Sequence, residues 1–192
     1  SPTVTLHPPS QPFEHRMSSS FSPAAGWPNV CVFGAGAVGC YFGARLALAG
    51  APVTLIARGP HVQAIEQHGL IFESAGTRTP VRLAATTHPD ALGSADLVLF
   101  CVKSRDTDEG ARTVTARLKP GAVVVSLQNG VDNVARMRAA AGLDALAAVV
   151  YVACSMAGPG HVRHAGRGDL VLGQLPDSAG TRPSHRVDPL AA

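Results

Sequence analysis

Clustered positive charge is missing from this 192-residue chain, although its formal net charge is +3. Charged residues make up only 15% of the sequence, and the basic ones are spread thinly along it. Proteins that bind nucleic acid usually concentrate arginine and lysine on one face. We therefore expect no nucleic-acid partner. Lysine itself is scarce, because only two of the sixteen basic residues are lysines, Lys103 and Lys119.

The sequence also lacks the patterns of membrane, secreted and metal proteins. No apolar run is long enough to cross a membrane, and the N-terminal region lacks the apolar core of a secretory signal. The eight histidines show no ligand spacing, so we expect no metal site, and His61 and His68 are placed on a surface helix. The absence of a C-x-x-C pair predicts buried free thiols and a reducing, cytoplasmic setting for Cys31, Cys40, Cys101 and Cys154.

Hydrophobic residues make up 46% of the chain, which is enough for a substantial core. Residues 1–28 are rich in Pro, Ser and His without any sustained period and predict a flexible tail. Whether Met17 is the natural start is left open. We expect residues 29–173 to form one domain and residues 174–192 to form an irregular C-terminal tail.

Strand-like apolar runs alternate with helix-length segments from residue 29 onward. The segment VCVFG, residues 30–34, predicts a buried strand, and residues 38–49 predict a helix that ends at Gly50. The apolar runs are continuous, which is typical of parallel strands covered on both faces. The chain therefore predicts an α/β fold, a Rossmann-type doubly wound and mostly parallel sheet. We expect short strands at residues 70–74 and 80–85, separated by a hairpin-like excursion at 75–79, and two short antiparallel pieces around residues 166–169.

A glycine-rich loop joins the first predicted strand to the first predicted helix. In such a unit the first glycine permits a tight turn, the second lets backbone approach a pyrophosphate, and the third lets the helix pack closely on the strand. The helix N-terminus then offers N–H groups and a positive dipole end. Spacing alone also allows a plain packing turn, but this context favours a dinucleotide site made by Gly34, Ala35, Gly36, Ala37, Val38 and Gly39.

Three polar side chains follow later strands of the predicted sheet. Arg58 follows the second strand, where an NAD site usually carries Asp or Glu. A guanidinium can bind a 2′-phosphate bidentately, so NADP is favoured, with an ordinary solvated arginine as the alternative. Lys103 and Asn129 follow two further strands, whose carboxyl ends meet a ligand crevice. The alternatives there are a solvated lysine and an Asn-Gly turn.

These motifs together resemble the ketopantoate reductases (2-dehydropantoate 2-reductases) over about residues 29–173. The segments that carry the resemblance are VFGAGAVGCYFGARLALAG, VTLIARGPHVQAIEQHGL, ADLVLFCVKSRDTDE, VVSLQNGVDNV and GPGHVRHAGRGDLVLG. The resemblance implies NADPH-dependent reduction of 2-dehydropantoate, a small 2-oxo acid, on the route to pantothenate and coenzyme A. It also implies that the glycine loop holds the pyrophosphate, that Arg58 holds the 2′-phosphate, that Lys103 and Asn129 line the crevice, and that the strand end near Ser155 passes beside the nicotinamide.

The resemblance also indicates a departure from the family. Family members carry a second, helical domain that supplies a catalytic lysine, whereas no lysine follows Lys119 in this sequence. The catalytic residue is therefore unknown here, and we expect NADPH binding with little or no ketopantoate reduction. Reduction of another 2-oxo acid and a non-catalytic NADP-sensing or interaction module are left open as alternatives, as is a homodimer.

Overall fold

The computed structural model describes residues 4–5, 26–130 and 132–173. The predicted C-terminal tail and most of the predicted N-terminal tail, with Met17, lie outside the described residues. The strands are β1 (Val4–Thr5), β2 (Val30–Phe33), β3 (Val53–Ile56), β4 (Leu70–Ser74), β5 (Thr77–Val81), β6 (Ala84–Thr86), β7 (Leu97–Phe100), β8 (Val123–Ser126), β9 (Leu146–Gly158) and β10 (His161–Gly173). The helices are α1 (Ala37–Leu48), α2 (Gly59–His68), α3 (Thr107–Thr115) and α4 (Asn133–Ala141).

The described strands form one sheet in the order β5-β4-β10-β9-β8-β7-β2-β3-β6, with β1 paired to β10. The six strands β6, β3, β2, β7, β8 and β9 are mutually parallel. Numbered along the chain, these six have the spatial order 3-2-1-4-5-6, which is the order of dinucleotide-binding sheets. The predicted doubly wound, mostly parallel fold is therefore confirmed. The strand order reverses between β2 and β7, and ligands of such sheets bind at this position.

Both faces of the parallel sheet are covered by helices. Successive residues of a strand point to opposite faces, and in β2 the side chains of Val30 and Val32 enter one core cluster while Cys31 enters the other. Helix α1 covers the first face, and α3 and α4 cover the second through residues such as Ala111 and Met137. This two-sided burial explains the continuous apolar runs of the sequence. Among the helices that the structure describes, none is long and apolar enough to span a membrane.

Helix α1 lies unusually close to the sheet because glycine faces it. A Cβ added to Gly39 would lie 2.8 Å from Cγ1 of Val32, and one added to Gly43 would lie 2.8 Å from Cδ2 of Leu55. Real Cβ contacts are longer than this, so larger residues at either position would push the helix away from the sheet. Gly39 therefore lets α1 pack closely on β2, as the sequence predicted.

The hairpin predicted within residues 70–85 forms, but with different limits. Strands β4 and β5 are antiparallel, and their turn is the pair Ala75 and Gly76, with φ of 50° and 79°. Positive φ at both central residues is typical of two-residue hairpin turns, because the twist of such a turn matches the right-handed twist of the two strands that it joins. The strand predicted at residues 80–85 is divided, because Pro80 and Val81 end β5, whereas Ala84 and Ala85 belong to β6, which pairs in parallel with β3.

The prediction of two short antiparallel pieces around residues 166–169 is wrong. Strand β10 runs for 13 residues antiparallel to β9, and the chain reverses before it, at residues 159–160. Residues 166–168 lie inside β10, with φ of 153°, 59° and 153° and two shifts of register. A Cβ on Gly168 would collide with the hydroxyl of Tyr41 on α1. The glycines here permit bulges in a continuous strand, although the same residues often mark turns.

Strand β10 pairs in parallel with β4, and charged side chains gather across this pairing. The Glu73 carboxylate accepts hydrogen bonds from Nε of Arg163 at 2.7 Å and from Nε of Arg78 at 3.0 Å, and it lies 2.8 Å from Nε2 of His161. The hydrogen bond from Arg163, followed by those from Arg78 and His161, lowers the pKa of Glu73 from its ordinary 4.5 to about 2. Glu73 in the folded protein thus stays ionised to lower pH than an ordinary glutamate.

We predict that the Glu73 cluster makes folding sensitive to acid. Because the pKa of Glu73 is lower in the folded state than its ordinary value, the stabilisation is complete above pH 4.5 and is lost as the pH falls towards 2. The melting temperature of the unmodified chain should therefore fall more steeply across this range than that of Glu73→Gln. Glu66→Gln, a change at an exposed glutamate of α2, should keep the steep profile. Parallel profiles for all three proteins would contradict the prediction.

Candidate functional site

A cleft of about 520 Å³ opens at the carboxyl ends of β2, β3 and β7. It is lined by the loops that follow these strands, by the first turn of α2, and by residues at the turn between β9 and β10. It therefore lies where the strand order reverses, which is the position expected for a ligand in this architecture. A second cleft, of about 430 Å³, lies at the amino ends of β2 and β3 and contains none of the predicted site residues.

The glycine loop forms one wall of the first of these clefts, which is called the main cleft below. Gly34 has φ of +96°, and a Cβ there would lie 2.8 Å from the backbone N of Val102 and 2.9 Å from the carbonyl carbon of Cys101. The loop is therefore pressed against the chain that follows β7. Gly36 is different, because a Cβ built on it meets no atom within 4 Å. The backbone at Gly36 faces open space in the cleft, and a ligand can approach it closely.

Helix α1 begins directly after this loop. Gly36 is its N-cap, and its first turn, which includes Ala37, Val38 and Gly39, contains no acidic residue. N–H groups of a first turn have no acceptor within their own helix, and the helix dipole places partial positive charge there. With Ala35 in the preceding loop, these residues form a site suited to an anionic group.

Two positively charged side chains line the same cleft. Arg58 is the exposed N-cap residue of α2, and Lys103 is an exposed residue of the loop after β7. Neither side chain has a hydrogen bond or ion pair with any residue of the described ranges. No carboxylate follows β3, where the sequence reads Ala-Arg-Gly-Pro from 57 to 60. Among the described residues, Arg58 and Lys103 therefore have no neutralising partner in the cleft, whereas Arg105 has Asp106 as a partner at 3.6 Å.

Asn129 and Ser155 are not among the residues that line this cleft. Asn129 is exposed after β8, and its carbonyl oxygen accepts hydrogen bonds from Oγ of Ser104 at 3.2 Å and from Nδ2 of Asn133 at 2.8 Å. It therefore lies beside the loop that carries Lys103. Ser155 is exposed on β9, and its neighbour Met156 lines the cleft in its place, because adjacent strand residues point to opposite faces.

His61 also lines the cleft, although the sequence placed it on a surface helix. Its Nδ1 accepts a hydrogen bond from the Gly160 N–H at 2.7 Å, and its Nε2 lies 3.2 Å from Sγ of Cys40. Burial lowers the pKa of His61, which favours the neutral ring, and because Nδ1 accepts a hydrogen bond the ring proton is on Nε2. The helical period gave no sign of this contact, because Gly160 is 99 residues away in the chain.

The thiol of Cys40 completes this contact by donating to the carbonyl oxygen of Ala35 at 3.4 Å. Burial raises the pKa of Cys40 to about 12, so the group remains a thiol. All four cysteines are free, as predicted, although only Cys31 and Cys40 are fully buried. In the described ranges, no group of three or more His, Cys, Asp or Glu side chains is arranged to hold a metal ion.

The fold and the cleft define the class of this protein: it is a Rossmann-type α/β protein with a ligand cleft at the reversal of its strand order. A family model described as ketopantoate reductase PanE/ApbA matches residues 30–177. The chain belongs to the ketopantoate reductase family.

Individual relatives agree with this assignment. A 2-dehydropantoate 2-reductase of Halobacterium salinarum is 35% identical over 149 residues, which cover 76% of this chain and 49% of the relative. The corresponding enzyme of Pyrococcus abyssi is 34% identical, with 77% and 48% covered. The crystal structure of a PanE/ApbA family ketopantoate reductase from Ralstonia eutropha JMP134 is 54% identical, with a TM-score of 0.70 over 73% of this chain and 47% of that one. The chain thus spans about half the length of these relatives.

The two loop glycines should differ in their effect on stability. Gly34→Ala should lower the free energy of unfolding by about 2 kcal/mol or more, because the new Cβ meets backbone atoms and the φ is unfavourable. Gly36→Ala should cost less than about 1 kcal/mol, since its Cβ enters open space and only the N-cap preference changes. Urea denaturation of both variants measures this difference. Equal losses would show that Gly34 is not constrained by the chain after β7.

Proposed function

We propose that this chain binds NADPH in the main cleft, as the cofactor-binding portion of an enzyme that reduces 2-dehydropantoate to pantoate. One observation carries the proposal: two cations without partners in the described ranges, Arg58 and Lys103, share the cleft with open backbone at Gly36. An NADP molecule carries a pyrophosphate and a 2′-phosphate, so it needs both a close backbone approach and free positive charge. The family membership of the chain supports the same cofactor.

In this proposal the loop from Gly34 to Gly39 holds the pyrophosphate. The opening at Gly36 admits the phosphate oxygens, and the first N–H groups of α1 donate to them. Ala35, Ala37 and Val38 contribute backbone, and their small or compact side chains keep the approach clear. Gly34 and Gly39 hold the loop in place, because both lie within contact distance of neighbouring backbone.

Arg58 is assigned to the 2′-phosphate that distinguishes NADP from NAD. It follows β3, where a carboxylate would accept hydrogen bonds from the free ribose hydroxyls of NAD but would repel a phosphate. Arg58 is the N-cap of α2, and its exposed side chain lies at the edge of the cleft. Lys103, across the cleft on the loop after β7, adds a second positive charge on the nicotinamide side of the pyrophosphate.

The proposal extends to the second half of the sheet, formed by β7, β8 and β9. In Rossmann-type sheets each half binds one mononucleotide, so this half would hold the nicotinamide ribose. Asn129, after β8, would offer its amide to the nicotinamide or to a substrate carbonyl. The end of β9 near Ser155 would pass beside the ring, with Met156 supplying apolar contact in the cleft.

When bound, NADPH would supply the hydride that reduces the keto carbon of the 2-oxo acid. The residues of this chain bind and orient the cofactor, which fixes the distance and direction of the transfer. We assign no proton donor and no catalytic residue among the described residues.

Arg58→Ala should weaken NADPH binding by about 10- to 100-fold, because a charge-assisted contact to the 2′-phosphate contributes roughly 1.5–3 kcal/mol. NADH binding should change by less than about twofold, since NADH has no such phosphate. Fluorescence titration of both cofactors measures the two dissociation constants. Arg82→Ala is the matched control, because Arg82 is also exposed but lines the cleft at the opposite ends of the strands.

The control variant should bind both cofactors like the unmodified chain. If Arg58→Ala retains the preference of the unmodified chain for NADPH over NADH, Arg58 does not bind the 2′-phosphate. If Arg82→Ala loses as much NADPH affinity as Arg58→Ala, the effect is one of general positive charge and not of the assigned site.

A further inference from the structure

Polar side chains are buried between the loops that follow β7 and β8, outside the main cleft. Thr107 is fully buried, and Asn133 and Gln128 are 5% and 7% exposed. None of the three lines the cleft, and none was predicted as a site residue. A buried polar group is costly unless its hydrogen bonds are made. The contacts of these side chains therefore matter for the position of both loops.

Gln128 connects the two loops from one side. Its Nε2 donates to the carbonyl oxygen of Val102 at 3.0 Å and to Oγ1 of Thr107 at 2.8 Å. Its Oε1 lies 3.2 Å from Oγ of Ser126, which fixes the orientation of the amide. The residue immediately before Lys103 is thus tied to the end of β8.

Thr107 and Asn133 connect the loops from the other side. The Thr107 hydroxyl accepts from Gln128 and lies 2.8 Å from the carbonyl oxygen of Ser104 and 3.2 Å from Oδ1 of Asn133. Asn133 in turn donates from Nδ2 to the carbonyl oxygen of Asn129 at 2.8 Å. The carbonyl groups of Val102, Ser104 and Asn129 therefore accept hydrogen bonds from one network. The Thr107 hydroxyl joins its two sides.

We propose that Thr107 and Gln128 are positioning residues, which hold Lys103 and Asn129 in the geometry that binds the nicotinamide half of the dinucleotide. The proposal rests on the proposed function above. Within the described ranges, no hydrogen bond of the network side chains reaches Arg58 or residues 34–39. Loss of the network should therefore affect the nicotinamide half more than the adenosine half of the ligand.

The test compares two substitutions at one position. Thr107→Val removes the hydroxyl but keeps the branched shape, whereas Thr107→Ser keeps the hydroxyl. The probes are NADPH and adenosine 2′,5′-bisphosphate, which has the 2′-phosphate but no nicotinamide. Thr107→Val should bind NADPH about tenfold more weakly and adenosine 2′,5′-bisphosphate within about twofold of the unmodified chain. Thr107→Ser should bind both probes within about threefold. A purely structural role would change both probes alike.

Equal weakening of both probes by Thr107→Val, or no weakening of either, would overturn the proposal. If the unmodified chain binds neither probe, the proposed function fails, and amide hydrogen exchange then decides the positioning role. Faster exchange in Thr107→Val at residues 102–106 and 127–130, with β2 and β3 unchanged, supports it, and a uniform change or no change overturns it. If Thr107→Val does not fold, Gln128→Met removes the network from its other end, and the same outcomes apply to it.

Discussion

The absence of a side chain at Gly34 and Gly39 is the constraint on which the rest of the molecule depends. Gly34 brings the loop after β2 against the backbone at Val102, and Gly39 brings α1 against β2 and against the carbonyl of Gly34. These contacts place the positive end of α1 where the strand order reverses. A Cβ at either position would separate the loop, the helix and the neighbouring strand end, and the cleft would lose its wall.

Charge is distributed in two different ways in this protein. At the pairing of β4 and β10, Glu73 is surrounded by Arg78, Arg163 and His161, so positive charge is neutralised within the fold. In the cleft, Arg58 and Lys103 have no such partner among the described residues and keep their charge available. Both cleft cations are exposed, so water solvates them and folding pays little free energy of desolvation. The arrangement stabilises the sheet at one place and favours anions at another.

The far wall of the cleft depends on parts of the chain that are distant in sequence. The turn between β9 and β10 reaches α2, where the Gly160 N–H bonds to His61. Gly160 has φ of +68°, and a Cβ there would lie 2.8 Å from Cβ of Ala64. The buried network of Gln128 and Thr107 similarly joins two loops that belong to different strands. In both places a polar group that is shielded from water makes its hydrogen bond to a group from another element of the fold.

The sequence by itself determined the parallel core of the sheet and the glycine loop, because both follow from local patterns. Continuous apolar runs and glycine spacing depend on near neighbours, so Gly36 and Arg58 were placed correctly at strand ends. The bulged course of β10, the contact of His61 and the burial of Thr107 came only from the tertiary structure. Glycine permits a turn and a bulge equally well, and long-range partners choose between them. Likewise, a threonine in a polar helical segment becomes buried only when another helix packs over it.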